Sequence, residues 1–544
     1  MMRHGGRILA DQLKRQGVQR VFSVPGESFL AALDGLHDSG IENVVCRQEG
    51  GAAMMAEASA KLTGAPGVLF VTRGPGATNA SAGLHIARQD STPLVAFVGQ
   101  IARGHRDREA FQEVDYRAFF GGLVKWVAEV DATDRIPEYV ARAFAVARSG
   151  RPGPVVLALP EDMLSAEADV PDRPAVVDPV QAVPDLAPVI ERLGRARAPL
   201  VVLGGPHWSA EAARDLRTWA ERHGLPVAVT FRRQDYIDNA SRAYAGDLNV
   251  GPNPALMKRL GGADLILALG TRLGDIATGG YEVLDPTGKA PPLIHVHPDP
   301  DVLGSVWTPE IAIAARAPDV VAALADRQDD LPGWHDRQAE AHDAYLDWIR
   351  PVPTPGAVKL ERVIAHLDAT LPDDAILTNG AGNYAAFLHR YYRWSRFGTQ
   401  LAPTSGSMGY GFPAAIAASL AHPDRPVVCL AGDGCFQMTC NEMSTAVQHG
   451  AKPIVIVANN GRYGTIRMHQ ERHYPGRVSG TDLANPDFAA LARAYGGQGW
   501  VVAAQDEFAP ALSAALTCGT PAVIELRLDG RMLSPGASLP DGSS

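Results

Sequence analysis

The sequence predicts an α/β protein made of three doubly wound parallel-sheet domains in series, and three observations predict it. At 544 residues the chain is longer than one hydrophobic core supports. Short, continuous, β-branched apolar runs alternate with amphipathic stretches, the pattern of strands buried on both faces of a parallel sheet. Proline-rich segments interrupt that alternation twice, at 166–188 and at the PVPTPG motif ending near residue 356.

The elements follow in order. The first unit, residues 1–167, has strand-like runs at 21–24, 44–46, 68–72 and 94–98, with a helix across 52–63. The second, 185–335, has runs at 200–203, 227–230, 265–269 and 293–296 and a helix at 210–223; a charged helical stretch, 318–355, follows. The third, 356–530, has runs at 375–378, 427–431, 454–458 and 523–526. Each unit has the βαβ pattern. The first and third are alike in element order rather than in residues.

Composition narrows the function. A hydrophobic share of 46% with 20% charged residues fits a globular, water-soluble chain. A net charge of -10 gives no support to nucleic-acid binding through a basic surface. No apolar run approaches the ~20 residues that span a bilayer. The N-terminus, MMRHGGRILADQLKRQG, places Asp11 and Lys14 inside its only short apolar stretch and does not read as a signal peptide, so a cytoplasmic enzyme is expected. The five cysteines show neither CxxC nor Cys/His ligand spacing and read as free thiols.

The strongest local signal is VVCLAGDGCFQMTCNEMSTAVQHGAKPIVIVANNGRYGTI, from Val427 onward. One buried strand ends in Gly432-Asp433-Gly434, a helix follows, and a second strand ends in Asn459-Asn460. Loops at the ends of parallel strands open at the same sheet edge, where α/β proteins bind ligands. Asp433 and Asn460 then sit side by side although 27 positions separate them. One carboxylate with one amide oxygen suits Mg²⁺, whose octahedron is completed by phosphates, water and a backbone carbonyl. The glycines admit a close backbone approach, and the helix start near Cys435 offers N–H groups to an anion. Either motif alone reads as an ordinary turn; the pair is specific.

GDG followed about 27 residues later by NN resembles the cofactor signature of thiamine-diphosphate-dependent enzymes, and the likeness extends over essentially the whole chain. It is strongest to the acetolactate synthase-like group, which includes acetohydroxyacid synthase, pyruvate oxidase and benzoylformate decarboxylase. The resemblance implies a pyrimidine-binding first domain, a central nucleotide-binding-like domain and a diphosphate-binding third domain. It implies Asp433, Asn460 and the carbonyl of Arg462 as ligands of Mg²⁺, with Gly432, Gly434 and Gly464 beside them. Cys435 stands where the family often has Ser at the diphosphate, and Asn383 and Tyr384 in NGAGNYAAF fall at a diphosphate-contacting turn. In SGSMGYGFPAA, Met408 matches the bulky residue wedged between the cofactor's rings, and the Gly406 carbonyl would accept from its amino group.

RQEGGAAMMAEA aligns Glu49 with the family's catalytic glutamate, whose carboxylate at the pyrimidine nitrogen drives loss of the C2 proton. TRGPGATN resembles the group's SGPGATN loop. Pro75 and Asn79 match pyrimidine contacts there, while Arg73 replaces the usual Ser. That Arg73 would bind a substrate carboxylate or pair with an acid across a subunit contact. Phe111 and Gln112, in AFQEVD, match residues that face the reacting carbon. Glu27 stands where acetolactate synthases usually have Gly, and is expected either as a proton donor or relay, or as a helix cap. Thr465 and His469 replace the Met and Trp of the second-substrate pocket and make it more polar.

The resemblance thus implies a thiamine-diphosphate- and Mg²⁺-dependent decarboxylase/carboligase acting on a 2-oxo acid or aldehyde. It would work as a homodimer or homotetramer with active sites at the subunit interface. The glycine-rich stretch by which acetolactate synthases hold FAD is missing from AGDLNVGPNPALMKRLGGADLILALGTRLGD. That argues against FAD and leaves ADP or a CoA nucleotide as other occupants of the central cleft. Alternatives are a 2-hydroxyacyl-CoA lyase or oxalyl-CoA decarboxylase, with 521–544 as a closing tail, and a non-catalytic protein that keeps the fold.

Overall fold

The computed structural model describes residues 2–179, 182–288 and 290–539. Three six-stranded parallel sheets follow one another along the chain, each flanked by helices. The first holds Arg20–Ser23, Glu42–Val45, Gly67–Val71, Leu94–Gln100, Trp126–Glu129 and Pro154–Pro160. Taken in chain order, these strands lie side by side as two-one-three-four-six-five. The third holds Ile376–Asn379, Gln400–Leu401, Val427–Gly432, Ile454–Asn459, Gln498–Val502 and Ala522–Arg527, and repeats that order. The central sheet differs. Pro199–Leu203, Val227–Thr230, Tyr244–Leu248, Leu265–Leu269, Leu293–His297 and Ile311–Ala314 run three-two-one-four-five-six, the dinucleotide-fold order.

The interior strands are the continuous apolar runs of the sequence. Gly67–Val71, Leu94–Gln100 and Val427–Gly432 are buried along their whole length, because helices cover both faces. The strands not anticipated are mostly at edges, where partial exposure breaks the apolar run: Ile311–Ala314, Trp126–Glu129 and Gln498–Val502 each keep only one buried residue. The helix expected after Gly432 is broken into Asp433–Gln437, a 3₁₀ turn Cys440–Glu442 and Met443–Gln448. Its first piece is too short to carry much of a helix dipole.

The segment 166–188 is extended and tied to the first domain. Glu167–Ala168 pairs antiparallel with Arg3–His4, and Gln12 exchanges hydrogen bonds with the Arg173 backbone. At the other end, the chain after Ala522–Arg527 forms a hairpin of Met532–Ser534 with Ala537–Ser538. Residues 540–544 of the expected tail lie outside the described residues. No helix among the described residues is long and apolar enough to cross a membrane.

The first and third domains share one hydrophobic core. Helix Glu49–Thr63 lies on helix Gly411–Ala421, and their alanines, Ala52, Ala53 and Ala56 against Ala414, Ala415 and Ala418, are buried in it. A polar node joins all three domains beside it. Lys61 Nζ lies 3.0 Å from both Glu57 and Asp90, whose side chains are fully buried. Tyr410 of the third domain donates to Glu57 (2.6 Å), the Thr404 N–H donates to Asp90 (3.0 Å), and Arg233 of the central domain reaches Asp90 at 3.3 Å. Burial pushes the Glu57 carboxyl up, whereas Lys61 and Arg233 hold Asp90 down. Every charge in the node has a partner, which such burial demands.

Candidate active site

At the carboxyl edge of the third sheet the strand order reverses between Ile376–Asn379 and Val427–Gly432, and the loops part there. A cavity of about 240 Å³ opens at that point. Every residue lining it belongs to the third domain, including Asp433, Asn460, Arg462 and Thr465.

Asp433 is buried. Its Oδ1 accepts from the Gly434 N–H (2.8 Å), and its Oδ2 from the Gly461 N–H (2.9 Å) and the Asn485 amide (2.8 Å). Burial pushes this carboxyl up, against the pull of those donors, and no lysine or arginine pairs with it among the described residues. A buried carboxylate without a counter-charge, beside a side-chain amide and a loop carbonyl, is a donor set for a hard divalent cation. Among the described residues, no three His, Cys, Asp or Glu side chains gather into an alternative metal site. Asn460 Oδ1 accepts from the Arg462 N–H at 3.3 Å. The loop is braced by the chain opposite: Tyr463 N–H donates to the Thr481 carbonyl and Leu483 N–H to the Gly461 carbonyl, both at 2.8 Å. The Arg462 guanidinium packs on Gly530, and among the described residues its buried Nε and Nη1 have no partner.

Behind this edge, Tyr384 O–H and Gly409 N–H both donate to Cys435 Sγ at 3.1 Å, so the thiol's sulfur is already engaged. Gly382 and Gly432 are required for packing, since a Cβ on either would stand 2.8 Å from the Tyr384 ring. Gly406, at φ +66°, and Met408 form one wall. Thr465 Oγ1 accepts from the Asn383 N–H and donates to Asn383 Oδ1, each at 3.0 Å, and Gly464 lies against Asn460. His469 is exposed, stacked on His473, and is not part of the lining.

The remaining residues gather at the carboxyl edge of the first sheet. Glu49 opens its helix, capped by Gln48, and its Oε2 accepts from the Asn79 amide at 3.0 Å. The preceding turn is held from the third domain: the Glu442 carboxylate accepts from the N–H groups of Arg47 (3.1 Å) and Gln48 (3.0 Å). Pro75 and Asn79 are exposed, and Phe111 is 73% exposed. Gln112 adopts φ +65°, a strained backbone for a residue with a side chain, and packs on Gly74, where a Cβ would come within 2.8 Å. None of these residues lines the third-domain cavity.

Arg73 pairs with acids of its own chain, an arrangement that neither of the two expectations for it named. Its Nη2 donates to Glu27 and its Nη1 to Glu161, each at 2.8 Å. Glu27 therefore caps no helix with its side chain; the 3₁₀ turn it opens has no side-chain cap. Asn485, Glu442 and Glu161 carry no signal in the sequence, since each sits in an unremarkable stretch and acts on a distant loop.

A second cavity, about 130 Å³, lies at the reversal point of the central sheet. Gly205 and Gly270 pass so closely that a Cβ on the former would stand 1.7 Å from the carbonyl of the latter. Arg272 and His297 line the cavity, and the buried His297 Nε2 has no partner.

Comparison with known proteins gives three matches in the same order as the sheets. Residues 3–119 match the thiamine pyrophosphate enzyme N-terminal TPP binding domain, 186–324 its central domain, and 380–526 its C-terminal TPP binding domain. The acetolactate synthase large subunit of Parasynechococcus marenigrum is 32% identical, over 96% of this chain and 87% of its own length. Isozyme 2 of Escherichia coli K12 is 30% identical over 98% of both chains, and the acetolactate synthase of Mycobacterium bovis 33% over 90% and 82%.

Proposed function

We propose how this chain, which belongs to the thiamine pyrophosphate enzyme family and to its acetolactate synthase-like group, builds its reaction centre from two copies of itself. The chain is a thiamine-diphosphate-dependent decarboxylase/carboligase that acts on small molecules, and neither a CoA lyase nor a non-catalytic relative is needed to account for it. Thiamine diphosphate, when bound, supplies a nucleophilic carbon and takes up the electron pair freed at a substrate carbonyl carbon. The fit rests on the uncompensated Asp433 carboxylate at the rim of a glycine-lined cavity, a place for a cation with an anion beside it.

In this reading Asp433, Asn460 and the Arg462 carbonyl hold Mg²⁺, and the glycine loop at 432–434 admits the diphosphate. Asn383, Tyr384 and Gly464 shape that end, while Cys435 contributes its backbone N–H, its sulfur being engaged elsewhere. Met408 and the Gly406 carbonyl orient the rings. Glu49, kept in place by Asn79, exchanges a proton with the pyrimidine nitrogen, and Pro75 packs on that ring. Phe111, Gln112 and Thr465 face the donor, a 2-oxo acid, and Glu27 faces the place of the acceptor. For the central cleft we favour an adenine nucleotide, ADP or that of CoA, over FAD.

One observation carries the two-copy reading: the cavity is lined by the third domain alone, while the Glu49 edge stands exposed on the first. A second copy, in a homodimer or a pair of dimers, would bring the two edges together. Co-expression of Glu49→Gln with Asp433→Ala tests it. Each variant alone is inactive; mixed dimers contain one intact site, so about a quarter of wild-type pyruvate turnover returns if chains pair at random. No recovery, with mixed dimers shown to be present, refutes the shared site.

A further inference from the structure

The Arg73–Glu27 pair sits where it can act on the reaction. Arg73 is held by its own backbone, whose N–H donates to Ser28 Oγ at 3.3 Å; Ser28 in turn bonds Thr72 Oγ1 at 2.8 Å. The loop carrying Glu27 thereby interlocks with the loop carrying Arg73, and Gly26 is pressed against Thr72, where a Cβ would stand 2.3 Å away. Thr72 continues the chain of contacts: a Cβ on Gly76 would lie 2.8 Å from Thr72 Cγ2 and 3.4 Å from Glu49 Oε1. Gln112 packs on Gly74, the next residue. Glu27, Arg73, Gln112 and Glu49 therefore occupy one short stretch of one sheet edge.

Exposure separates their roles. The Arg73 side chain is 9% exposed and cannot receive a substrate, whereas Glu27 is 67% exposed and can. An unanchored glutamate at such exposure samples many rotamers; a guanidinium bound to it fixes the carboxylate in one place. An exposed ion pair adds little to stability, so anchoring is the larger effect. The charge does not cancel. Arg73 serves two carboxylates, Glu27 and the half-exposed Glu161, leaving one net negative charge. Arg103 and Arg106 do not offset it, because Arg103 is paired with Asp162, and Arg106 with Glu129 and Asp131.

We infer that Arg73 is a positioning residue that fixes Glu27 at the reacting edge, and that this anionic group makes the enzyme choose an uncharged aldehyde over a second 2-oxo acid as acceptor. The inference rests on the reading that the Glu49 edge faces the cofactor. In the ligation, the donor carbon's electron pair forms the new C–C bond. The acceptor's carbonyl pair moves to its oxygen, which takes up the proton that the donor's hydroxyl gives up as it becomes a carbonyl and the product is released. An aldehyde passes through this step with no charge but the developing oxyanion, whereas a 2-oxo acid carries a carboxylate toward Glu27.

The test uses full-length enzyme loaded with thiamine diphosphate and Mg²⁺. Calorimetry measures binding of oxamate, an unreactive anionic 2-oxo acid mimic, and of neutral oxamide. Glu27→Gln is expected to tighten oxamate at least tenfold and leave oxamide within twofold. With pyruvate as donor, the same variant moves the acetaldehyde-to-pyruvate acceptor ratio at least tenfold toward pyruvate. Arg73→Ser moves the acceptor ratio toward pyruvate about tenfold with KM for acetaldehyde within twofold, and Arg73→Lys restores at least half of the aldehyde preference. Oxamate affinity and acceptor ratio both within twofold in Glu27→Gln, or a lysine no better than serine at 73, would overturn the inference. Hydrogen–deuterium exchange at the cofactor's C2 separates the two layers: its absence in the wild type sinks the underlying reading, and its persistence with unchanged selectivity sinks this inference alone.

Discussion

The first and third sheets repeat the same strand order, yet their carboxyl edges carry opposite chemistry. The third edge is concave and lined by glycines, with the uncompensated carboxylate of Asp433 at its rim. The first edge is an exposed face bearing Glu49, Glu27 and Glu161, ordered by Asn79 and Arg73. A shared topology places the loops; the loop residues decide what each edge does. On the reading above, the third edge binds and the first edge reacts, so damage to one should look different from damage to the other.

Asp433→Ala offers the largest contrast. It should weaken Mg²⁺-dependent cofactor binding at least a hundredfold, about 3 kcal/mol, by fluorescence titration, with the fold retained by circular dichroism. Cofactor binding within tenfold of wild type would break the division between the edges. Glu49→Gln should do the reverse: cofactor affinity within a few-fold, but C2 hydrogen–deuterium exchange slowed about a hundredfold or more. Unchanged exchange would remove Glu49 from its assigned task.

Lys61→Met asks what the shared core between the two domains is worth. It leaves Glu57 and Asp90 buried with fewer partners, at a cost of about 3–5 kcal/mol. The thermal midpoint should fall most at pH 7. The deficit should shrink as pH drops toward 5, because the Glu57 carboxyl, already pushed up by burial, takes a proton. A deficit independent of pH would mean lost packing rather than unpaired charge. The smallest effect belongs to Cys435→Ser. Since Cys435 Sγ faces Tyr384 and Gly409, cofactor affinity should move less than about fivefold. A larger gain would show that the side chain, not the backbone, meets the diphosphate.

What the sequence made legible was local. Asp433 and Asn460 each end an apolar strand, so the parallel-sheet rule was enough to bring them to one edge. The three-sheet class was readable for the same reason, because buried parallel strands are written as unbroken apolar runs. Edge strands such as Ile311–Ala314 were not, since half-exposure removes the run. Nor were the supports. Arg73 meets Glu161 across 88 positions, and Glu442 braces Arg47 across 395, with no periodicity to announce either. The twofold reading of Arg73 therefore needed coordinates, as did the break in the helix after Asp433.

The node at Lys61, Glu57 and Asp90 sets a limit on how this architecture can be recombined. Each of the three domains contributes a group to it, Thr404 and Tyr410 from one side and Arg233 from another. A chimera that imports a central domain without an arginine at 233 inherits a charge imbalance in its interior, and one that imports a third domain without a tyrosine at 410 leaves a buried Glu57 oxygen without its donor. Domain shuffling among relatives is thus gated by a handful of buried polar residues that line no part of the third-domain cavity, and a graft succeeds only when the node travels as a set.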